Sequence, residues 1–462
     1  MDSKRFILDT TFTLIAAYLG LFVGLIDANA INLALPAVRN DLGGGISGAQ
    51  WTIDAYNITF AAMLLTSGSL GDRFGRRTVL RLGLATFIAA SLVCAAAPAL
   101  PVLLAARAIQ GVGAALMLPQ GLAITAAAFP NAVERARATA AWAMAAALST
   151  AIGPILGGVL TDSVGWRYIF WINAPVGIVA LLMTYRYLPE SRDPSAATID
   201  LPGQTLALLG LGALTIVLVE GRTMPPSWGT GLAVVASVGI TAFIWRQRRA
   251  PRPMLPLDLF RSRRLVAALV ATFAMTFGIY GLLLVNSFAF QQQRGASALV
   301  TALWFLPMPL VYLTLIPAVN ALAHRVGPRL PMTAGLCLMA SGLALYAIVG
   351  PRAGVWLLAL SFVLAGAGLA LNTAPAVGLA MSAVPVQRAG LASGVVNLAR
   401  LVGITVGVAV LGSALAAVGG AGGVRTALLL GVVVQLAGAV VAHRLARAKT
   451  GAATTAKEVC HA

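Results

Sequence analysis

Fourteen apolar stretches, each about 18 residues or longer, follow one another along this chain between residues 12 and 443. They lie near 12–36, 49–70, 79–98, 102–128, 139–160, 166–188, 203–221, 228–245, 265–290, 298–320, 330–350, 355–381, 390–418 and 424–443. A stretch of that length crosses the hydrocarbon core of a bilayer as one helix, because in lipid only a helix or a closed barrel satisfies its own backbone. The chain is therefore expected to be an all-α integral membrane protein. A mean hydropathy of +0.89 and a 10% share of charged residues exclude a water-soluble globule. An even number of crossings leaves both termini on one side.

The net charge of +18, from 32 basic and 14 acidic residues, raises nucleic acid as a partner. The bases form no single face; they sit between the apolar stretches, which excludes nucleic acid. With the termini and alternate loops assigned to one side, the bases favour that side about four to one, and Lys and Arg are retained in the cytoplasm during insertion. Both termini are thus expected to be cytoplasmic, in a protein of the cell membrane. Residues 12–26 with Ala28-Asn29-Ala30 imitate a secretory signal, but apolar character resumes at once through 31–36 and cleavage would remove the first crossing. Cys94, Cys337 and Cys460 form no CxxC and no disulfide framework and read as packing residues.

The chain repeats itself. Leu70-Gly71-Asp72-Arg73-Phe74-Gly75-Arg76-Arg77 returns 252 positions later as Leu322-Ala323-His324-Arg325-Val326-Gly327-Pro328-Arg329, with four of eight positions identical. Two related halves of six crossings each leave two extra crossings, 203–221 and 228–245, between a polar linker before them and an arginine-rich one after. The expected division is a bundle over 1–188, a linker with two extra helices over 189–264, a second bundle over 265–443 and a cytoplasmic tail over 444–462. Paired halves with the site between them are the plan of secondary transporters.

Ionisable side chains inside crossings cost about 2.5 to 3.5 kcal/mol each on insertion scales, so they mark candidate sites. Asp27, Asp54, Arg107 and Arg400 qualify, while Glu220 closes its crossing near water. By helical rise, Asp27 lies roughly 13 Å and Arg107 roughly 9 Å below the outer ends of their crossings, at Pro36 and Pro101. At similar depth the two can pair, with Asp54 shallower. Such a pair, opened by a proton or by a cationic substrate, suffices for proton-coupled exchange; a static pair holding the bundle is the other reading.

Gly68, Asp72, Arg73, Gly75, Arg76 and Arg77 make a tight, charged turn whose second copy keeps Arg325 and Gly327. It reads as a latch between the two halves, with a plain basic anchor as the alternative. Gly153 and Gly157 share one helix face and permit close approach of a neighbour, Gly158 follows, and Pro154 removes a backbone hydrogen bond and invites a bend.

Together these pieces resemble the major facilitator superfamily, and within it the fourteen-span drug:proton antiporters. The resemblance rests on Gly68 to Arg77, on Leu103-Leu104-Ala105-Ala106-Arg107-Ala108-Ile109-Gln110-Gly111-Val112-Gly113, and on Ser149 to Gly158. Asp27-Ala28-Asn29-Ala30-Ile31-Asn32-Leu33-Ala34-Leu35-Pro36 and Trp166-Arg167-Tyr168-Ile169-Phe170-Trp171-Ile172-Asn173-Ala174-Pro175 complete it. It covers almost the whole chain. It implies two six-helix bundles plus two additional central helices, a role for Arg107 in proton coupling, and antiport through Gly153, Pro154, Gly157 and Gly158. Asp54 in Trp51-x-x-Asp54-x-Tyr56 resembles exporters of cationic antiseptics and the methylenomycin-resistance type. Three departures stand out: the crossings at 265–290, 298–320 and 390–418 carry no acid, His324 replaces an acid in the second turn, and Leu401 follows Arg400 where Gln is common. The missing acids put export of multivalent cations in doubt.

Asn57, Gln120, Trp142, Tyr280, Asn286, Asn372 and Asn397 are the polar and aromatic candidates for contact with a bulky amphiphile. The leading function is export of a hydrophobic or amphiphilic drug or secondary metabolite against inward proton flow. Its partners are a small-molecule substrate, protons and the lipid bilayer, the protein is a monomer, and the proton gradient takes the place of any cofactor. A symporter or facilitator of a small metabolite is the rival within transporters. An ATP-driven pump lacks the Gly-Lys pair a phosphate-binding loop needs, and a membrane-embedded enzyme lacks GxSxG or HExxH.

Overall fold

A computed structural model of the chain describes residues 3–128, 132–188, 190–192, 200–250, 253–350, 352–384 and 389–446. These residues form helices, and no strand occurs among them. The first group comprises α1 (Ser3–Leu42), α2 (Gly45–Phe74), α3 (Arg76–Ala95), α4 (Leu100–Ala128), α5 (Ala132–Ser163), α6 (Arg167–Trp171) and α7 (Asn173–Tyr187). Next come α8 (Leu201–Glu220) and α9 (Pro226–Arg249). The last group is α10 (Arg263–Phe288), α11 (Ala298–Phe305), α12 (Pro307–Val326), α13 (Arg329–Val349), α14 (Val355–Ser382), α15 (Ala389–Val418) and α16 (Gly420–Leu445). The pairs α6–α7 and α11–α12 each make one broken pass, and a π turn, Ala289–Gln293, extends α10.

Thirteen helical segments among the described residues are long and apolar enough to cross a membrane. The remaining long helix, α2, has 30 residues, and Gln50, Asp54 and Asn57 make it more polar. It packs against α4 and α15 and is long enough for the fourteenth pass expected from sequence. The end of the bundle where α1 begins is called basal below, and the end where α1 finishes distal.

Helices α1–α7 and α10–α16 repeat the same neighbour relations. In the first group α3 and α2 pack on α4, α1 packs on α5, and α7 packs on α1 and α3. In the second, α13 and α12 pack on α14, α10 packs on α15, and α16 packs on α10 and α13. Helices α8 and α9 pack on each other, and α8 also lies against α2 and α15, at the seam between the groups.

Both copies of the repeated turn are built on a glycine that an L side chain would strain: φ is +101° at Gly75 and +78° at Gly327. The arginine two residues on then ties the turn to the last helix of its own half. Arg77 Nη1 donates to the Leu188 carbonyl at 2.9 Å, and Arg329 Nε to the His443 carbonyl at 3.1 Å.

Lipid provides no hydrophobic drive between helices, so small residues that let backbones approach carry the association. A Cβ on Gly153 would lie 2.6 Å from Asn29 Cβ, and one on Gly157 would overlap the Ala30 carbonyl, so α5 seats directly on α1. Gly158 faces the other way, onto the backbone of Ala298 and Leu299 at the start of α11, and joins the two groups.

The groups are also hydrogen-bonded to each other at the distal end. The Asp162 carboxylate accepts from Ala298 N at 3.0 Å and Leu299 N at 2.8 Å, capping α11 from α5. Gln291 Nε2 donates to the Leu33 carbonyl at 2.8 Å. Gln50 Nε2 reaches the Val408 and Ala409 carbonyls of α15.

Candidate coupling site and central cavity

Asp27 of α1 and Arg107 of α4 meet inside the first helix group. Arg107 Nη1 donates to Asp27 Oδ2 at 2.6 Å, and the two side chains are 1% and 0% exposed. A buried pair is tolerated only when its remaining lone pairs and protons find partners. They do here. Gln110 Nε2 and Asn173 Nδ2 both donate to Asp27 Oδ1, at 3.2 and 2.7 Å. Arg107 gives Nη1 also to Gln110 Oε1 at 2.6 Å and Nε to the Thr52 carbonyl at 3.0 Å. Ser91 Oγ accepts from Gln110 at 2.8 Å and donates to the Phe87 carbonyl. The Arg107 guanidinium lies over the Tyr56 ring, 4.5 Å from its centroid.

Helices α4 and α7 thus converge on one carboxylate of α1, and α2 and α3 hold the partners from α4 in place. Gln110 follows Arg107 by three residues and so shares its face of α4. Asn173 begins α7, where the broken α6–α7 pass turns its side chain inward. Ser91, Gln110 and Asn173 were not candidates from sequence; the available signal was their polarity inside apolar stretches, and for Gln110 and Asn173 their place in the quoted family segments.

Asp54 stands apart from this network. It is fully buried, and both its carboxyl oxygens lack a hydrogen-bond partner. One turn before it, Gln50 bonds to α15, and one turn after it, Ile58 packs with Leu211, Thr215, Val402 and Thr405 of α8 and α15. The i, i+4 periodicity therefore sets Asp54 on the α2 face turned to the seam, opposite the Tyr56 face that meets Arg107.

A cavity of about 100 Å³ lies between the helix groups, lined by Asn29, Thr150 and Pro154 from the first and by Thr276, Tyr280, Tyr312, Thr373 and Arg400 from the second. A smaller one of about 30 Å³ adjoins it, sharing Asn29, Tyr280 and Arg400 and reaching Tyr56, Asn57 and Arg107. Asp27 lines neither, since Arg107 stands in front of it. Of the expected contact residues, Tyr280 lines both cavities and Asn57 the smaller. Gln120 instead bonds to Ser67 on α2, at 2.7 Å to its carbonyl, and Asn397 to the Ser393 carbonyl of its own helix. Asn286 and Asn372 are buried with unpaired amides inside the second group and line neither cavity. The side chain of Trp142 lies outside the described residues. Asn29, Thr150, Tyr312 and Thr373 line the cavity without having been candidates.

In the basal turn, Asp72 pairs with Arg76 at 2.9 Å, one helical turn away in its own segment. Arg76 Nη1 also reaches the Ala123 carbonyl, and Arg73 lies over the Phe74 ring. The Glu190 carboxylate caps α3 through Arg77 N at 3.0 Å and Thr78 N at 3.2 Å. Gly68 has open space around it, and Arg325 is exposed beside Gly327. The turn is thus bonded within itself, to α4 and to Glu190 just beyond α7.

Two packed helical halves with a cavity between them are the architecture of a secondary transporter. Residues 17–408, and again 308–459, match the family model of the Major Facilitator Superfamily. The chain belongs to that superfamily. It is 39% identical over 409 residues to multidrug resistance protein Stp of Mycobacterium tuberculosis, covering 88% of this chain and 76% of that one. It is 33% identical over 407 residues to the methylenomycin A resistance protein of Bacillus subtilis, covering 86% of each. Among solved structures, a POT family transporter in complex with 5-aminolevulinic acid superimposes with a TM-score of 0.71 at 15% identity, covering 96% of this chain and 97% of that one.

Proposed function

We propose that this protein is a proton-coupled antiporter that exports a hydrophobic or amphiphilic drug or secondary metabolite across the cytoplasmic membrane. The halves over 1–188 and 265–443 rock about the central cavity, the base-rich basal end and both termini face the cytoplasm, and the proton gradient is the energy source. The distal contacts of Asp162, Gln291 and Gln50 make the described form one that is shut towards the outside.

The observation that carries this reading is the caged Asp27–Arg107 pair. Arg107 screens Asp27 from the cavity, so the carboxyl exchanges Arg107 for a proton without touching the cargo. Proton and cargo then compete through the arrangement of helices rather than for one set of atoms. Each proton moved inward contributes about 2.3 kcal/mol per 100 mV of membrane potential. The relatives named for multidrug and methylenomycin resistance support the outward direction for the cargo.

The test is purified protein in sealed liposomes carrying a pH-sensitive dye. Cargo supplied on one side should drive proton movement the opposite way, and Asp27→Asn should abolish that proton movement while leaving cargo–cargo counterflow measurable. Cargo flux with no pH change, or unchanged proton movement in Asp27→Asn, overturns the reading.

A further inference from the structure

The wall of the central cavity has a one-sided charge. Arg400 is the ionic residue lining it among the described residues, and Asn29, Tyr280, Tyr312 and Thr373 add neutral polar groups. The Arg400 Nε is buried and has no hydrogen-bond partner, while its backbone carbonyl is taken by Thr276 Oγ1 at 3.0 Å. Neither carboxylate of the neighbouring helices faces this cavity: Asp27 is bonded to Arg107, Gln110 and Asn173, and Asp54, itself unpartnered, lies on the α2 face turned to the seam and lines neither cavity. A cation in this cavity meets a like charge and no counter-charge. An anion meets a planar guanidinium that can donate two parallel hydrogen bonds in a water-poor setting, the strongest neutralisation available to it there.

We infer that the cargo is an anionic amphiphile, an apolar body bearing a carboxylate, sulfonate or ionised phenol, with its charged group held by Arg400 and its body against Tyr280 and Tyr312. This inference rests on the export reading above and names its substrate class. Cationic antiseptics are excluded from it.

The test uses two xanthene dyes of similar body and opposite charge, fluorescein and rhodamine 6G, titrated into the purified full chain in detergent and followed by fluorescence anisotropy. Fluorescein should bind at least about tenfold more tightly than rhodamine 6G. Arg400→Gln should erase that preference and Arg400→Lys should retain part of it, with melting curves of both variants recording that they fold. Equal binding, tighter binding of the cation, binding of neither dye, or an unchanged preference in Arg400→Gln overturns the inference. Binding needs no proton gradient, so the two readings fail separately. Fluorescein bound but not transported removes the export reading and keeps the substrate class. Rhodamine 6G exported equally by wild type and Arg400→Gln keeps export and removes the class.

Discussion

The side-chain amide of Gln50 lies 2.8 Å from the Ala409 carbonyl and ties α2 to α15 across the division between the halves. The same nitrogen is 3.0 Å from the Val408 carbonyl, and Gly412 leaves the room it occupies, since a Cβ there would meet the Gln50 amide. Gln50→Ala should weaken distal closure by about 1 kcal/mol, the net worth of one such bond. Fluorophores on Val164→Cys and Val300→Cys, exposed positions near the distal ends of opposite halves, should show a larger share of separated molecules in the Gln50→Ala background. An unchanged distance distribution would assign closure to Asp162 and Gln291 instead.

Arg107→Ala leaves the Asp27 carboxylate buried with only the Gln110 and Asn173 amides. Breaking one side of a buried pair costs about 3–5 kcal/mol. Asn173→Ala removes a single donor and should cost about 1–3 kcal/mol. Thermal unfolding in detergent should therefore rank wild type above Asn173→Ala and that above Arg107→Ala; the reverse order would mean that Asp27 depends on its amides more than on its counter-ion.

Gly157 and Gly212 separate contact from helix propensity. A Cβ at Gly157 overlaps the backbone of α1, whereas at Gly212 on α8 nothing lies within 4 Å. Gly212→Ala should raise stability by up to about 1 kcal/mol by propensity alone. Gly157→Ala should lower the yield of folded protein despite the same propensity gain. Equal behaviour in a melting assay would contradict the seating of α5 on α1.

Asp200 gives a pH dependence at the start of α8. Burial pushes its carboxyl up, but bonds from Gly203 N at 3.0 Å, Gln247 Nε2 at 2.9 Å and Arg246 Nε at 3.0 Å outweigh that and hold it below the ordinary carboxylate range. A depressed value in the folded state means that the folded carboxylate binds protons less readily than the unfolded one. Its stabilisation is thus fully present above the ordinary value of 3.8 and is lost as the pH falls through the lower folded value. Asp200→Asn keeps a capping oxygen and loses the charge. Wild type should unfold at a higher temperature than Asp200→Asn near neutral pH, and the gap should close below that value; a constant gap would mean that the charge contributes nothing.

The meeting of Asp27 and Arg107 was legible because helical rise converts sequence position into depth, and two opposite charges at one depth have few other partners. The repeat leaves two passes, α8 and α9, unmatched, but that α8 packs on α2 and α15 while α9 packs on α8 was not legible from it. Rotation about each helix axis was not legible. Asp27 and Asp54 look alike in sequence, yet α2 presents Tyr56 to Arg107 and turns Asp54 to α15. Gln120, Asn286 and Asn372 failed as cavity residues for the same reason, and Asn29, Thr150 and Thr373 were missed because small polar groups in apolar helices resemble packing. The breaks that divide α6 from α7 and α11 from α12 left no signal in hydropathy, since the apolar run continues through both.

The Leu218 carbonyl accepts from Ser413 on α15 at 2.7 Å, while two residues on Glu220 accepts from Trp51 Nε1 on α2 at 3.1 Å and from Ser47. One end of a supernumerary helix is therefore bonded to both helix groups at their distal end. For that end to gape, α8 has to release one partner and travel with the other. In the export cycle proposed above, α8 is the clip on the outer mouth, and its bonds through Leu218 and Glu220 are the ones that opening has to break.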